Sequence, residues 1–199
     1  MMATVESTTR GTDDVRRVVL AGAVSTGKTT LARRLAEHFR TAWVPEYARE
    51  QWVAKLAALA SASPPPAWTS EDLLDIAREQ QRRESVAATR ATRVLFCDTS
   101  ALTAGLWHER YFGTALPELD RVGARDRADL YLLAVPDVPF VADGVRDGEE
   151  RRQWMHDRLR ERLRATGTPI VELSGDYEAR FRKAVDAVSA LLRDGSASY

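Results

Sequence analysis

"VVLAGAVSTGKTTLARRLAEHF" spans Val18–Phe39, and its reading decides the rest of the chain. It opens as an apolar strand, passes through small and hydroxylated residues, and closes as a helix with Leu31, Leu35 and Phe39 four apart. Within it, Gly22-Ala23-Val24-Ser25-Thr26-Gly27-Lys28-Thr29 has the spacing G-x-x-x-x-G-K-[ST], set between a strand and a helix. The glycines let the backbone turn so that several N–H groups point inward, and the following helix N-terminus adds its dipole. Such a loop holds an anion. Lys28 brings a point charge to the outer phosphates of a nucleotide, Thr29 offers a hydroxyl to Mg²⁺, and Thr30 extends the row of hydroxyls. A glycine-rich turn that merely caps a helix leaves most of these residues unexplained.

The chain has 199 residues, which fits one large domain, and 44% of them are hydrophobic, enough for a core. Basic and acidic residues balance at 29 each. That argues against a global pull toward nucleic acid or a membrane, while leaving room for a local basic cleft. The single cysteine, Cys97, excludes an internal disulfide and fits a reducing cytoplasm. The polar N-terminus lacks the apolar stretch of a secretion signal, and no apolar run approaches the roughly 20 residues that span a bilayer. The expectation is a soluble cytoplasmic protein with no nucleic-acid or membrane partner. Monomer and homo-oligomer stay open.

Residues 1–14 read as a flexible leader and 15–199 as one domain. Strands are expected at about Arg16–Ala21, in "TAWVPE", in "RVLFC", in "DLYLLAV" and in "TPIVELSG". Helices alternate with them; one starts at Thr69 with Asp72 three residues on, a capping-box spacing. "SASPPPAW" breaks the chain before it, and the region from about Ser100 to Arg127 is interrupted near Gly113 and Pro117. The last helix sets Phe181, Val185, Val188 and Leu192 on one face. Apolar strands alternating with helices imply a parallel sheet covered on both faces. With the phosphate loop, the expected fold is the three-layer α/β P-loop NTPase fold with five parallel strands, like a nucleoside or nucleotide kinase.

In such a sheet the ligand crevice lies beyond the carboxyl ends of the strands. Those ends carry the glycine turn, Glu46, Asp98, the Pro136–Glu150 loop and Gly175–Asp176. Gly22 through Thr30, with Gly175 and Asp176, are assigned to ATP. Asp98, ending "RVLFCD", stands where an acid would face the phosphate loop and hold Mg²⁺ beside Thr29; an ordinary helix cap is its other reading. Glu46, in "VPEYARE", can take the proton of an attacking hydroxyl as a general base, or simply favour a helix N-terminus. Tyr47 and Arg49 are candidate acceptor contacts, as are Asp137, Phe140 and Asp143. Arg146, Arg151 and Arg152 follow hinge-capable glycines in "ADGVRDGEERR". They are candidate lid cations for a transferring phosphoryl group, against a plain solvated loop. His38, His108 and His156 lack metal spacing. Trp43, Trp52, Trp68 and Trp107 are candidates to stack on a flat base, with packing as their default reading.

With these residues laid out, the chain resembles the ribosylnicotinamide kinase domain of the NadR family from about Val18 to Arg193. The likeness rests on "AGAVSTGKTTLARRLAEHF", "EYARE", "DIAREQ", "LFCDTS", "DLYLLAVPDVPFVADGVRD" and "GDYEARF", in this order. It implies transfer of the ATP γ-phosphate to the 5′-hydroxyl of nicotinamide riboside, giving nicotinamide mononucleotide, with ATP and Mg²⁺ as cofactors. Some members carry a DNA-binding domain and an adenylyltransferase domain ahead of the kinase. Neither fits in the 17 residues before Val18, so kinase activity alone is expected. Phe140 and Pro45 depart from the tryptophans of relatives near the substrate ring. The acceptor's identity, more than the reaction type, hangs on them: another nucleoside, or a nucleotide-dependent switch, is the alternative.

Overall fold

Short runs of Val, Leu, Ile and aromatic residues, each bounded by turn formers, become strands, and the segments with helical spacing cross between them. The computed structural model describes residues 15–59, 68–141 and 151–194. In chain order these form β1 (Arg16–Gly22), α1 (Lys28–Phe39), β2 (Trp43–Val44), α2 (Tyr47–Leu59), α3 (Ser70–Ala88) and β3 (Val94–Asp98). Then come α4 (Leu102–Phe112), α5 (Pro117–Gly123), β4 (Leu130–Ala134), α6 (Arg152–Ala165), β5 (Ile170–Leu173) and α7 (Tyr177–Asp194). The sheet is parallel throughout, in the order β2-β3-β1-β4-β5. It is the five-stranded P-loop architecture expected from the sequence. The leader, the Pro64–Pro66 loop and residues 142–150 lie outside the described residues.

Alternation along the central strands feeds two cores. Val18, Leu20, Phe96 and Leu132 pack under α1 and α7, while Val19, Leu95, Tyr131 and Leu133 pack under α3, α4, α5 and α6. Burial on both faces is why these strands read as unbroken apolar runs. The Thr69 capping box forms: its hydroxyl accepts from the Asp72 N–H at 3.1 Å, and Asp72 accepts from the Thr69 N–H at 2.8 Å. Gly113 ends α4 in the left-handed region and Pro117 starts α5, as their positions in the sequence suggested. No described helix is long and apolar enough to cross a membrane.

From β1 the chain crosses to β2 and then β3 on one side, and from β3 over β1 to β4 on the other, so the crevice opens at the carboxyl end of β1. There Gly22 lies against Ala134 of β4 with φ +147°, and a Cβ on it would sit 2.8 Å from the Ala134 carbonyl oxygen. Gly22→Ala is therefore expected to lower Tm by about 4–8 °C, the equivalent of about 2 kcal/mol at this size. Differential scanning calorimetry checks it.

Beneath the α3 face sits a polar group of buried Arg17 and Glu84 with half-buried Asp126. Asp126 accepts from Gln81 Nε2 at 2.7 Å and from the Leu102 N–H at 2.9 Å, so it caps α4 from outside that helix. Burial, with Asp126 nearby, pushes the Glu84 carboxyl up to about 8. The folded protein therefore holds a proton there that the unfolded chain has lost. Glu84 contributes stability below its ordinary range near 4.5 and loses it as pH rises toward 8. Glu84→Gln is expected to remove that slope, gaining a few kcal/mol over the wild type at about pH 9 relative to about pH 5. Denaturant unfolding of both proteins at the two pH values measures the difference.

Candidate active site

A loop that turns its N–H groups inward turns its carbonyls outward, and buried carbonyls require donors. Ser25 (φ +57°) and Gly27 (φ +81°) supply the left-handed turns of the loop. The Ala23 carbonyl accepts from Thr26 Oγ1 at 2.9 Å and from Lys28 Nζ at 2.8 Å. The Ser25 carbonyl accepts from Arg152 Nη2 at 3.3 Å, and the Thr26 carbonyl from Arg180 Nη1 at 3.1 Å. Three of the loop's carbonyls are thus satisfied by side chains, two of those from the last two helices.

Arg180 is 3% exposed and also donates to the carbonyls of Gly175 at 2.8 Å and Val135 at 2.9 Å and to the Asp137 carboxylate. Asp137 accepts in addition from the Gly175 N–H at 2.7 Å. This carboxylate is thereby a strut between β4 and the β5–α7 turn, apart from the acceptor side where the sequence reading had set it. Asp176 caps α7, accepting from the Ala179 N–H at 2.7 Å. Neither it nor Gly175 lines the cleft around the phosphate loop, whereas Tyr177 does, its hydroxyl donating to the Thr30 carbonyl at 3.3 Å.

Arg152 departs from a mobile lid role. It is buried, donates to the Val138 carbonyl at 3.1 Å and lies 5.7 Å from the Phe140 ring centroid. Its neighbour Arg151 precedes α6 and is exposed. The phase of α6 separates the two: Arg152, Met155, His156 and Leu159 fall on the inward face. Arg146 and Asp143 lie outside the described residues. Ser25 Oγ donates to the Val141 carbonyl at 3.1 Å and accepts its N–H at 2.9 Å. The phosphate loop and the start of the 136–141 segment therefore hold each other.

Between them lies a cleft of about 410 Å³ lined by Val24 through Thr30, Glu46, Arg49, Val138 through Val141, Tyr177 and Arg180. At its floor the Thr29 hydroxyl donates to Asp98 Oδ2 at 2.5 Å. Asp98 ends β3 in register with Leu20 and is 1% exposed. The next residue, Thr99, is held at φ +75°, costly for a β-branched side chain, and donates its N–H to the Leu20 carbonyl at 3.0 Å. Cys97 is fully buried; desolvation raises its thiol well above the usual range, so it is core rather than nucleophile.

Glu46 is 7% exposed and walls two spaces at once, the phosphate cleft and a neighbouring slot. The slot is lined by Trp52 of α2, Trp68, Trp107 and Tyr111 of α4, and Gln80 of α3, with Ser100 and Thr103 adding hydroxyls. Trp52 meets Trp68 edge-on at 4.9 Å, and Trp107 stacks on Tyr111 at 5.6 Å. Of the four tryptophans considered for stacking, three converge here, and Trp43 packs on the opposite face of the sheet. Tyr47 lines neither space: its ring lies under Arg83 at 4.2 Å and its hydroxyl accepts from Gln51 at 2.7 Å. Arg49 and Phe140 border the cleft.

Arg180 and Gln80 escaped the sequence reading. Arg180 heads the buried row Arg180, Ala184, Val188 of α7, so an arginine opening an apolar stripe was the available signal. Gln80 had none, because the N–H it accepts comes from α2.

Residues 17–180 match the AAA domain profile AAA_28. The chain is 29% identical over 181 residues to the trifunctional NAD biosynthesis/regulator protein NadR of Salmonella typhimurium strain LT2, covering 89% of this chain and 43% of that protein. The NadR of Escherichia coli K12 matches equally, with the same coverage. A crystal structure of NadR protein in complex with NR superposes with a TM-score of 0.76 at 27% identity, over 91% of this chain and 52% of that one. A thymidylate kinase from Ehrlichia chaffeensis shares the fold at a TM-score of 0.60 and 13% identity, covering 87% of this chain and 98% of that chain. The chain spans about half the length of the NadR proteins it matches. With the profile covering most of its length, the chain belongs to the AAA domain family AAA_28.

Proposed function

We propose that this chain transfers the γ-phosphate of ATP to the 5′-hydroxyl of nicotinamide riboside, giving nicotinamide mononucleotide for NAD synthesis. The observation that carries the reading is Glu46, a carboxylate shared by the phosphate cleft and the aromatic slot. The slot has about 20 Å³ free as it stands, so an acceptor must widen it to seat there and present its hydroxyl where the cleft holds the phosphates. Nicotinamide riboside carries a flat pyridinium cation. Indole and phenol faces attract such a ring, and an adjacent carboxylate adds to the attraction. The similarity to NadR, one of whose crystal structures contains NR, supports the same acceptor.

In this mechanism the N–H groups of the phosphate loop and Lys28 hold the β- and γ-phosphates. The 5′-hydroxyl oxygen attacks γ-phosphorus, the bond from γ-phosphorus to the β,γ-bridging oxygen breaks, and Glu46 takes the hydroxyl proton. ADP leaves with the electrons of the broken bond. The Thr29 hydroxyl and Asp98 carboxylate are hard oxygen donors at the foot of the phosphate loop, and this donor set fits Mg²⁺. When bound, the ion neutralises phosphate charge. Arg49, on the wall of the cleft, is the described arginine proposed to face the transferring group, and Arg152 acts by fixing the loop.

The test is ADP release and product identity with Mg·ATP and nicotinamide riboside, adenosine, deoxycytidine, thymidine or buffer. A rate that rises only with nicotinamide riboside, yielding the mononucleotide, is expected. A rise with another nucleoside overturns the acceptor, and no acceptor dependence overturns the kinase reading. Lys28→Ala is expected to abolish turnover. Glu46→Gln is expected to lower kcat about 100-fold or more while ATP binding, measured by calorimetry, persists.

A further inference from the structure

We infer that Gln80 is a positioning residue for Glu46, acting through the backbone N–H of Tyr47. The inference rests on Glu46 as the base proposed above. Gln80 lies on α3, is 2% exposed, and walls the slot together with Glu46. Its Oε1 accepts from the Tyr47 N–H at 3.0 Å, and its Nε2 donates to Glu84 Oε1 at 3.0 Å.

The polarity of this chain of bonds is forced. The Tyr47 N–H is the first of α2, where helix N–H groups lack partners within the helix. It can only donate, so Gln80 must present its oxygen there and its NH₂ to Glu84. Glu84 then needs only to accept, and a carboxyl oxygen does so whether protonated or not. An acid at a helix start usually serves the helix's own N–H groups. Here a side chain from the neighbouring helix serves the first of them, so the peptide bond joining Glu46 to Tyr47 is held from α3. That peptide sets where the Glu46 side chain leaves the backbone, between the slot and the cleft.

Removing the acceptor is expected to let this peptide shift, and a shift of about 1 Å at a reacting group costs on the order of 100-fold in rate. Gln80→Met is expected to lower kcat about 10- to 100-fold with the KM for ATP unchanged. Glu84→Gln, which keeps an acceptor, is expected to hold kcat near the wild type, whereas Glu84→Leu lowers it. The double variant Gln80→Met/Glu84→Leu is expected to be no slower than Gln80→Met, because both changes break one chain of bonds. Amide hydrogen exchange at Tyr47 reads the clamp without any turnover: slow in the wild type and fast in Gln80→Met. Unchanged kcat in Gln80→Met, or kcat and the KM for ATP changing together, overturns the inference. So does fast exchange at Tyr47 in the wild type. A wild type with no acceptor-dependent turnover overturns the function reading instead, and the exchange data then decide the clamp on their own.

Discussion

A backbone that aims its N–H groups at an anion must face its carbonyls into the protein, and this constraint organises the whole carboxyl end of the sheet. The loop cannot cap those carbonyls with local helix or strand bonds. Thr26 and Lys28 reach back to Ala23, Arg152 reaches from α6 to Ser25, and Arg180 reaches from α7 to Thr26. A hydrogen bond from a charged donor to a buried carbonyl is worth roughly 1.5–3 kcal/mol, and losing one strands the carbonyl as well. Asp137 completes the arrangement by giving the buried guanidinium of Arg180 a counter-charge, without which its burial would be costly.

The acceptor side obeys a different constraint. Its walls come from α2, α3 and α4, and α2 follows directly on the two-residue edge strand β2. α2 is carried instead by α3. Lys55 pairs with Asp72 at 2.7 Å and lies 4.3 Å from the Trp68 centroid, and Arg83 pairs with Glu50 at 2.6 Å while covering Tyr47. Exposed ion pairs alone hold little. Aromatic contacts and the buried amide of Gln80 are the stronger part of this joint.

What could be read from the sequence follows from how local each signal is. The phosphate loop, the Thr69 cap, the break at Gly113 and the run of five strands all depend on neighbours within a few residues. The strand order, by contrast, depends on which runs pair in space. The convergence of Trp52, Trp68 and Trp107 depends on how three helices meet, and each tryptophan alone looks like packing. The pair Arg151 and Arg152 shows the limit most clearly. In a charged run both read as candidate lid cations, yet one turn-phase of α6 exposes the first and buries the second. Tyr47 and Asp137 sit in the expected segments but face a cation instead of the slot.

The bond from Arg180 to Thr26 joins residues 154 apart in sequence. On a ribosome the phosphate loop emerges 154 residues before the guanidinium that completes it. Strands β1, β3 and β4 can pair before α7 exists, but the loop's outward carbonyls cannot all be satisfied until α7 docks. Completion of the loop thus rests on a contact of high sequence separation, a class of contact whose loop-closure entropy must be met before it forms. A chain made only as far as β4 would carry the motif in full and still lack the donor to the Thr26 carbonyl.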